Sequence, residues 1–129
     1  MPEIEIYFKP AIVQPGVVAI LGETLRGVVA ANLCDQTVLP PLSLTADNVE
    51  VLFSEAHELD INTPDVKVAV RSGSTEARVQ NVRRTYDNVV AAARCVLPHE
   101  VRLPDGQTRL IDTWCAVNYG PRAEGKIWP

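Results

Sequence analysis

The chain begins with the stretch MPEIEIYF, residues 1–8, whose alternating pattern is typical of a β-strand. Ile4, Ile6 and Phe8 fall on one face of such a strand, and the glutamates and tyrosine at the odd-numbered positions fall on the other. We therefore predict a strand that starts at the second residue and buries its even-numbered face in a sheet. The remaining elements are expected to pack around it.

Pro2 stands directly after the initiator methionine. Because proline is a small second residue, we expect Met1 to be removed, which leaves Pro2 with a free secondary amine. Such an amine could accept and return protons near neutral pH, so Pro2 is a candidate catalytic acid/base. In the alternative interpretation Pro2 only starts the strand, a position where proline is tolerated. A retained Met1 would turn the amine into an amide with no basicity.

The length and charge of the chain restrict its class. Its 129 residues fit one domain spanning residues 1–129, and an apolar fraction of 47% is typical of a globular protein. The formal net charge is -4 and no basic run stands out, so nucleic acid is not expected as a partner. No apolar run approaches the roughly 20 residues that span a bilayer, and no signal peptide is recognisable. We therefore expect a cytoplasmic protein with no membrane partner.

The cysteine pattern argues against cross-links and metal sites. The cysteines are Cys34, Cys95 and Cys115, an odd number, and no two of them are separated by only two residues. A disulfide framework or a zinc site is therefore not expected. We interpret all of them as small apolar side chains in a reducing compartment.

Apolar spacing predicts a first helix. Pro15 suits the first helical position, and apolar residues at spacings of three and four continue to about residue 32. Gly16, Gly22 and Gly27 each weaken this helix by roughly 1 kcal/mol relative to alanine. We expect these glycines to permit close packing of the helix against the sheet.

A second helix is predicted from the N-cap Ser74 to Leu97, where Pro98 ends it. Its apolar stripe is continuous from Val79 to Leu97. The positively charged residues lie off this stripe and are interpreted as a solvated face: Arg78, Arg83, Arg84 and Arg94.

Alternation predicts further strands at residues 49–57, 66–71 and 108–119. The sequence Pro-Asp-Gly at residues 104–106 predicts a turn before the last of them. After Gly120-Pro121, a short final hairpin could turn at Glu124-Gly125.

The predicted order is two βαβ units, each roughly 55–60 residues long, a length that suits such a unit. We therefore predict an α+β fold with a four-stranded sheet. Right-handed crossovers would place both helices on one face of that sheet. Since the strands are apolar on both sides, oligomerisation through the other face is expected.

The chain resembles the tautomerase superfamily, which includes 4-oxalocrotonate tautomerase, 5-carboxymethyl-2-hydroxymuconate isomerase and macrophage migration inhibitory factor. The resemblance rests on Pro2 behind the initiator, the two βαβ units and the length, and it covers most of the chain from Pro2 to Trp128. It implies a homotrimer whose sheets form the inner wall, with no metal or organic cofactor. It also implies that Pro2 is the catalytic acid/base, in a pocket at a subunit boundary.

The resemblance also implies substrate contacts. Arg71 matches an arginine that dehalogenase and decarboxylase members use to hold a substrate carboxylate, and Asn118 resembles the asparagine of a similar tripeptide in the inhibitory-factor branch. Asn118 or Tyr119 could donate to an enolate oxygen. The chain departs from 4-oxalocrotonate tautomerase at Ile12 and Glu50, where that enzyme carries arginines.

These features predict a tautomerase that moves a proton next to a carbonyl in a small 2-oxo or 2-hydroxy-unsaturated acid. Apolar surroundings or a nearby cation such as Arg71 would lower the pKa of Pro2 toward the working pH. Arg71 could instead simply solvate a strand end, and Asn118 could be a turn residue.

Two alternatives stay open. The same proline could serve hydration, decarboxylation or dehalogenation. A βαββαβ order also fits a ferredoxin-like fold, which is common in small-molecule-binding and regulatory modules that do no chemistry. In such a module the amino-terminal residue would have no chemical role.

Overall fold

The computed structural model of the protein describes residues 2–34, 41, 43–57 and 59–128. Its strands are Glu3–Phe8 (β1), Glu50–Glu55 (β2), Val66–Arg71 (β3), Glu100–Arg102 (β4), Thr108–Leu110 (β5), Thr113–Asn118 (β6) and Arg122–Gly125 (β7). Its α-helices are Pro15–Leu33 (α1), Glu76–Gln80 (α2) and Val82–Val96 (α3), and a 3₁₀ turn spans Ala46–Asn48.

The main sheet is mixed and has five strands in the order β2-β1-β3-β6-β7. β1 pairs parallel with β2 and antiparallel with β3, β3 pairs parallel with β6, and β6 pairs antiparallel with β7. The prediction of a four-stranded sheet was therefore wrong. Gly120, at φ 99°, reverses the chain after β6 so that Arg122–Gly125 returns as a fifth strand. The final hairpin therefore turns at Gly120, and the prediction of a turn at Glu124-Gly125 was wrong.

The strand predicted at residues 108–119 is divided into two. β5 pairs with β4 in a separate two-stranded sheet, and β6 joins the main sheet. The break falls at Ile111 and Asp112, whose backbone N–H groups bond outside the strand pairs, to the His99 carbonyl and to the Asp65 carboxylate.

One face of the main sheet carries the core. The even-numbered residues of β1 and β3 are fully or almost fully buried there, and α1 and α3 pack on that face and against each other. The placement of both helices on one side agrees with the prediction. The opposite face, here called the open face, carries the odd-numbered residues of β1 and β3.

The second helical segment begins one residue later than predicted. The N-cap is Thr75, whose hydroxyl accepts from the Arg78 N–H at 3.3 Å, so Ser74 is not the cap. The helix is interrupted at Asn81, whose side-chain amide donates to the Ala77 carbonyl at 2.8 Å. Such local side-chain bonding competes with the helical pattern and separates α2 from α3.

α1 extends from Pro15 to Leu33, close to the predicted bounds. By length and composition it would suffice to cross a membrane, so the prediction that no apolar run approaches that length was wrong. In this structure it packs on β1, β2 and α3, and its buried residues are Val18, Leu21, Gly22, Leu25, Val29, Ala30 and Leu33.

A buried carboxylate joins the β4–β5 hairpin to the main sheet. Asp65, 2% exposed, accepts from the Arg109 guanidinium at 2.6 and 3.0 Å and from the Asp112 N–H at 2.9 Å. Burial alone would raise the pKa of Asp65, but these hydrogen bonds and the charges of Arg109 and Lys9 outweigh it and lower the pKa below its usual value.

The cysteines differ in their surroundings. Cys115 is buried in the core, which raises the pKa of its thiol to about 12. Cys34 and Cys95 are exposed, so of the three cysteines only Cys115 packs as a buried apolar side chain. Among the described residues, no three His, Cys, Asp or Glu side chains are grouped to hold a metal ion.

Candidate functional site at one end of the sheet

Pro2 lies buried at the beginning of β1, and its carbonyl accepts from the Glu50 N–H at 2.9 Å. Continuing the β1–β3 register by one pair places Ser72 opposite Pro2. Ser72 N–H in turn donates to the Asn118 carbonyl at 3.3 Å, where β6 ends. The strand ends that carry the predicted site residues therefore meet at one end of the sheet, in the order β1, β3, β6.

The predicted residues are divided between the two faces at that end. Arg71 is paired in register with Glu3 and Asn118 on the open face. Pro2 has the same side-chain direction as Ile4 and Ile6, which face the helices. The cation expected beside Pro2 is thus on the opposite side of the sheet from its ring.

Arg71 is also neutralised by neighbouring carboxylates. Its Nη1 lies 3.3 Å from Glu3 Oε1 and 3.2 Å from Glu5 Oε2, and its side chain is 58% exposed. A carboxylate ligand would have to compete with both glutamates for this guanidinium. Exposed pairs of this kind contribute little to stability, so the competition is not prohibitive.

Asn118 shapes the following turn. Its Oδ1 accepts from the Gly120 N–H at 3.0 Å, which is the role that the alternative interpretation gave it. The side chain is half-buried on the open face next to Arg71.

Tyr119 is fully buried on the helix side of the same end. Its hydroxyl has no hydrogen-bond partner of good geometry within the described part of the chain. Burial raises the pKa of Tyr119, and the nearby Thr85 hydroxyl and Arg78 charge only partly oppose this effect. A buried hydroxyl without a partner is uncommon in proteins and is often found where function requires it.

Arg78 is a further residue at this end, and the sequence interpretation placed it on a solvated face. The structure shows it half-buried, with its guanidinium donating to Ser72 Oγ at 3.0 Å and to the Gly73 and Leu33 carbonyls at 3.1 and 3.2 Å. Its Nε is buried and has no partner among the described residues. One feature of the sequence could have identified Arg78. It lies in the first turn of a helix that closely follows a strand, and from there a long side chain can reach back to the strand ends.

A cavity of about 290 Å³ lies on the open face between β1, β3 and the segment before β3. Tyr7 forms one wall, with its hydroxyl bonded to Asp60 at 2.8 Å and to Thr63 at 2.9 Å. Lys67 and Arg71 bring positive charge to the same cavity. Pro2 is not among the residues that line it.

Comparisons with known proteins give little further information. No protein-family model matches the chain, and no curated protein matches it. Among solved structures, the chain is similar to N1, described as a member of the cis-3-chloroacrylic acid dehalogenase family, with 14% identity and a TM-score of 0.36 over 90% of this chain and 73% of that one. At this level the similarity supports neither a shared fold nor a shared activity.

Proposed function

We propose that this chain is a cofactor-independent tautomerase that uses the Pro2 amine as acid/base on a small 2-oxo or 2-hydroxy-unsaturated acid. The observation that carries the proposal is the burial of Pro2 at the end of the sheet, on the side where Arg78 and Tyr119 also lie. An enclosed amine near a cation loses basicity, which brings its pKa toward the range that proton transfer at neutral pH requires.

The proposed reaction needs only one mobile proton. The unprotonated Pro2 nitrogen removes a proton from the carbon beside the substrate carbonyl, and the electron pair of that C–H bond forms the enolate. Return of the proton to oxygen gives the enol, and its return to a conjugated carbon gives the isomeric ketone. Because no electrons are gained or lost, no redox cofactor is required.

Arg71, Asn118 and Tyr119 remain the proposed substrate contacts, but Arg71 and Asn118 lie on the open face and would have to reach a substrate at Pro2 around the end of the sheet. Arg71 offers two parallel hydrogen bonds to a carboxylate once Glu3 and Glu5 release it. The Tyr119 hydroxyl is the better supported donor to the enolate oxygen, because it is buried on the Pro2 side of the sheet, whereas the Asn118 side chain lies on the open face.

We also propose a homotrimer in which the open faces form the inner wall. This face carries apolar side chains among its charges, namely Leu52, Ala69, Trp114 and Ala116, and no helix covers it in the described chain. Further copies of the chain would bury this surface and enclose the strand ends where the site residues lie.

The test combines mass and kinetics. The intact mass should lack Met1, and the protein should ketonise the enols of phenylpyruvate or 2-hydroxymuconate. Pro2→Ala should lower kcat by roughly 100-fold or more, since general acid–base catalysis contributes factors of this size. Pro104→Ala, in an exposed turn, is the matched control and should leave kcat unchanged. An active protein that retains Met1, or a Pro2→Ala variant with unchanged kcat, would refute the proposal.

The reaction type within this proposal can be separated in the same assays. A 3-haloacrylate added to the substrate panel would detect dehalogenation through release of halide. A 2-oxo diacid that loses carbon dioxide would detect decarboxylation. Both reactions would require Pro2 as the proton donor and would therefore also be lost in Pro2→Ala.

A second candidate is a small-molecule-binding module that does no chemistry. It is favoured by the open-face cavity, because the cavity has its own charged and aromatic lining and does not include Pro2. Calorimetry with small carboxylates separates the two candidates. Binding that is lost in Lys67→Ala but kept in Pro2→Ala, without any turnover, would support the module.

A further inference from the structure

The side of the sheet on which each arginine lies determines which one can act on Pro2. Ser72 lies opposite Pro2 in the extended register, and its hydroxyl accepts from Arg78 Nη1 at 3.0 Å. The Arg78 guanidinium therefore lies on the Pro2 side of the sheet, one serine side chain and one hydrogen bond away from the strand that neighbours Pro2. Arg71 projects from the opposite face.

The two guanidinium charges are also compensated differently. Arg71 is paired with two carboxylates, Glu3 and Glu5. Arg78 donates to a hydroxyl and two carbonyls, all neutral, and forms no ion pair with any described residue. A half-buried positive charge with no counter-ion acts on its surroundings with less screening than a surface pair does.

Several other charged groups around Pro2 face away from its ring or into solvent. Glu3, Glu50 and Arg71 project on the open side of their strands, and Glu76 on α2 is exposed. The Cys34 thiol at the end of α1 is bonded to the Ala30 carbonyl at 3.3 Å. Arg26 on α1 also reaches this end, at the Ala46 carbonyl, but it is paired with Glu23 and Asp47. Among the described residues, Arg78 is thus the charged side chain on the Pro2 side that has no ion pair.

We infer that Arg78, and not Arg71, is the positioning residue whose charge keeps the Pro2 amine unprotonated at neutral pH. The inference rests on the proposed role of Pro2. The positive charge opposes protonation of the amine, and the bonds to Ser72 Oγ and to the Gly73 and Leu33 carbonyls hold that charge in place. Catalysis gains because a general base must be free of its proton when substrate arrives.

The experiment measures the Pro2 amine directly. Protein that begins at Pro2 is produced with methionine aminopeptidase, checked by intact mass and labelled with ¹⁵N-proline. The pKa of the amine is then read by NMR titration in the wild type and in variants whose folding is verified by circular dichroism. This readout does not depend on finding a substrate.

Arg78→Gln should raise the Pro2 pKa by about half a unit to one unit, since an uncompensated charge on the Pro2 side is removed while an amide donor is kept. Arg78→Lys should restore most of the wild-type value, because the charge is kept. Arg71→Gln, the matched control, should change it by less than about a third of a unit, since its charge is already compensated. Ser72→Ala, which frees Arg78 but changes no charge, should give an intermediate value.

The inference is overturned if Arg78→Gln leaves the amine pKa unchanged, or if Arg71→Gln raises it as much. If Arg78→Gln does not fold, the Pro2 pKa is compared in Ser72→Ala and Arg71→Gln. The inference is then overturned if Ser72→Ala leaves that pKa unchanged or if Arg71→Gln raises it as much. The outcome is distinct from failure of the proposed function. That failure would appear as unchanged turnover in Pro2→Ala, whatever the titration shows.

Discussion

At the scale of single residues, side-chain direction has more consequence than distance along the chain. Arg71 and Ser72 are adjacent, yet one projects on the open face and the other bonds to Arg78 on the helix side. Because successive strand residues alternate in direction, a shift of one position changes which face a charge serves. Arg78, which we infer to act on Pro2, is therefore held on the Pro2 side through Ser72.

The buried Asp65 allows a test of stability at the same scale. Asp65→Asn should destabilise the fold by about 1–2 kcal/mol at pH 7, because the Arg109 guanidinium, 38% exposed, loses its counter-charge and one of its hydrogen-bond acceptors. Since the folded pKa of Asp65 lies below its unfolded value, its contribution is present above pH ~4 and is lost as pH falls through the folded pKa. Urea denaturation of the wild type and the variant at pH 7 and pH 3 measures the loss of stability and its dependence on pH.

Asp112→Asn is the matched control for this carboxylate. The Asp112 side chain is 54% exposed and its oxygen lies 3.8 Å from Lys126 Nζ, so the change should cost less than about 1 kcal/mol at either pH. An equal loss of stability in the two variants would contradict the role assigned to Asp65. The role would also be contradicted if the difference in free energy of unfolding between the wild type and Asp65→Asn were as large at pH 3 as at pH 7.

At the scale of elements, α1 and β2 approach each other closely at one glycine. A Cβ on Gly22 would lie 2.7 Å from Phe53 Cζ and 3.4 Å from Val51 Cγ1, whereas Gly16 and Gly27 face open space. The expectation that all the helix glycines permit close packing is thus confirmed for Gly22 and wrong for the other two. The edge strand β2 is held to the helix through this contact.

A pair of substitutions tests this contact. Gly27→Ala should stabilise the fold by about 0.5–1 kcal/mol, because it gains helix propensity with no new contact. Gly22→Ala should gain less or lose stability, because Phe53 must move away from the added methyl group. Thermal denaturation of the two variants measures the difference. Equal stabilisation would show that the gap above β2 is wider than described.

At the scale of the whole molecule, the open face of the sheet exposes apolar side chains that no described helix covers. Leu52, 43% exposed on β2, lies in register with Glu5 on this face, while Ile20, 59% exposed, lies on α1 on the other side. A trimer built through the open faces would bury Leu52 and leave Ile20 in solvent.

Light scattering tests the assembly with these two residues. The wild type should have three times the mass of one chain, Leu52→Arg should dissociate it, and Ile20→Arg should leave it intact. A charge buried in an interface without a partner costs several kcal/mol, whereas the same charge on an exposed helix face costs little. A monomeric wild type, or a trimer lost only in Ile20→Arg, would contradict the proposed arrangement.

Local patterns in the sequence determined much of this protein. Alternation located β1 and β3 to within a residue, and the spacing of apolar residues located α1, because these periods follow from backbone geometry alone. Pro2 could be recognised as a candidate from its position. The division of residues 108–119 into two strands could not be predicted from local patterns, since it depends on a bond to Asp65, which is far away in the sequence.

Only the tertiary structure decided which candidates share a space. Residues that strand ends bring together come from distant parts of the chain, and no local pattern records the register that joins them. The sequence pattern placed Arg78 on a solvated helix face, whereas its side chain bonds to Ser72 and to the Leu33 carbonyl. The position of Arg78 is set by its bonds to Ser72 and Gly73, just after β3, and to the Leu33 carbonyl at the end of α1, which is far away in the sequence.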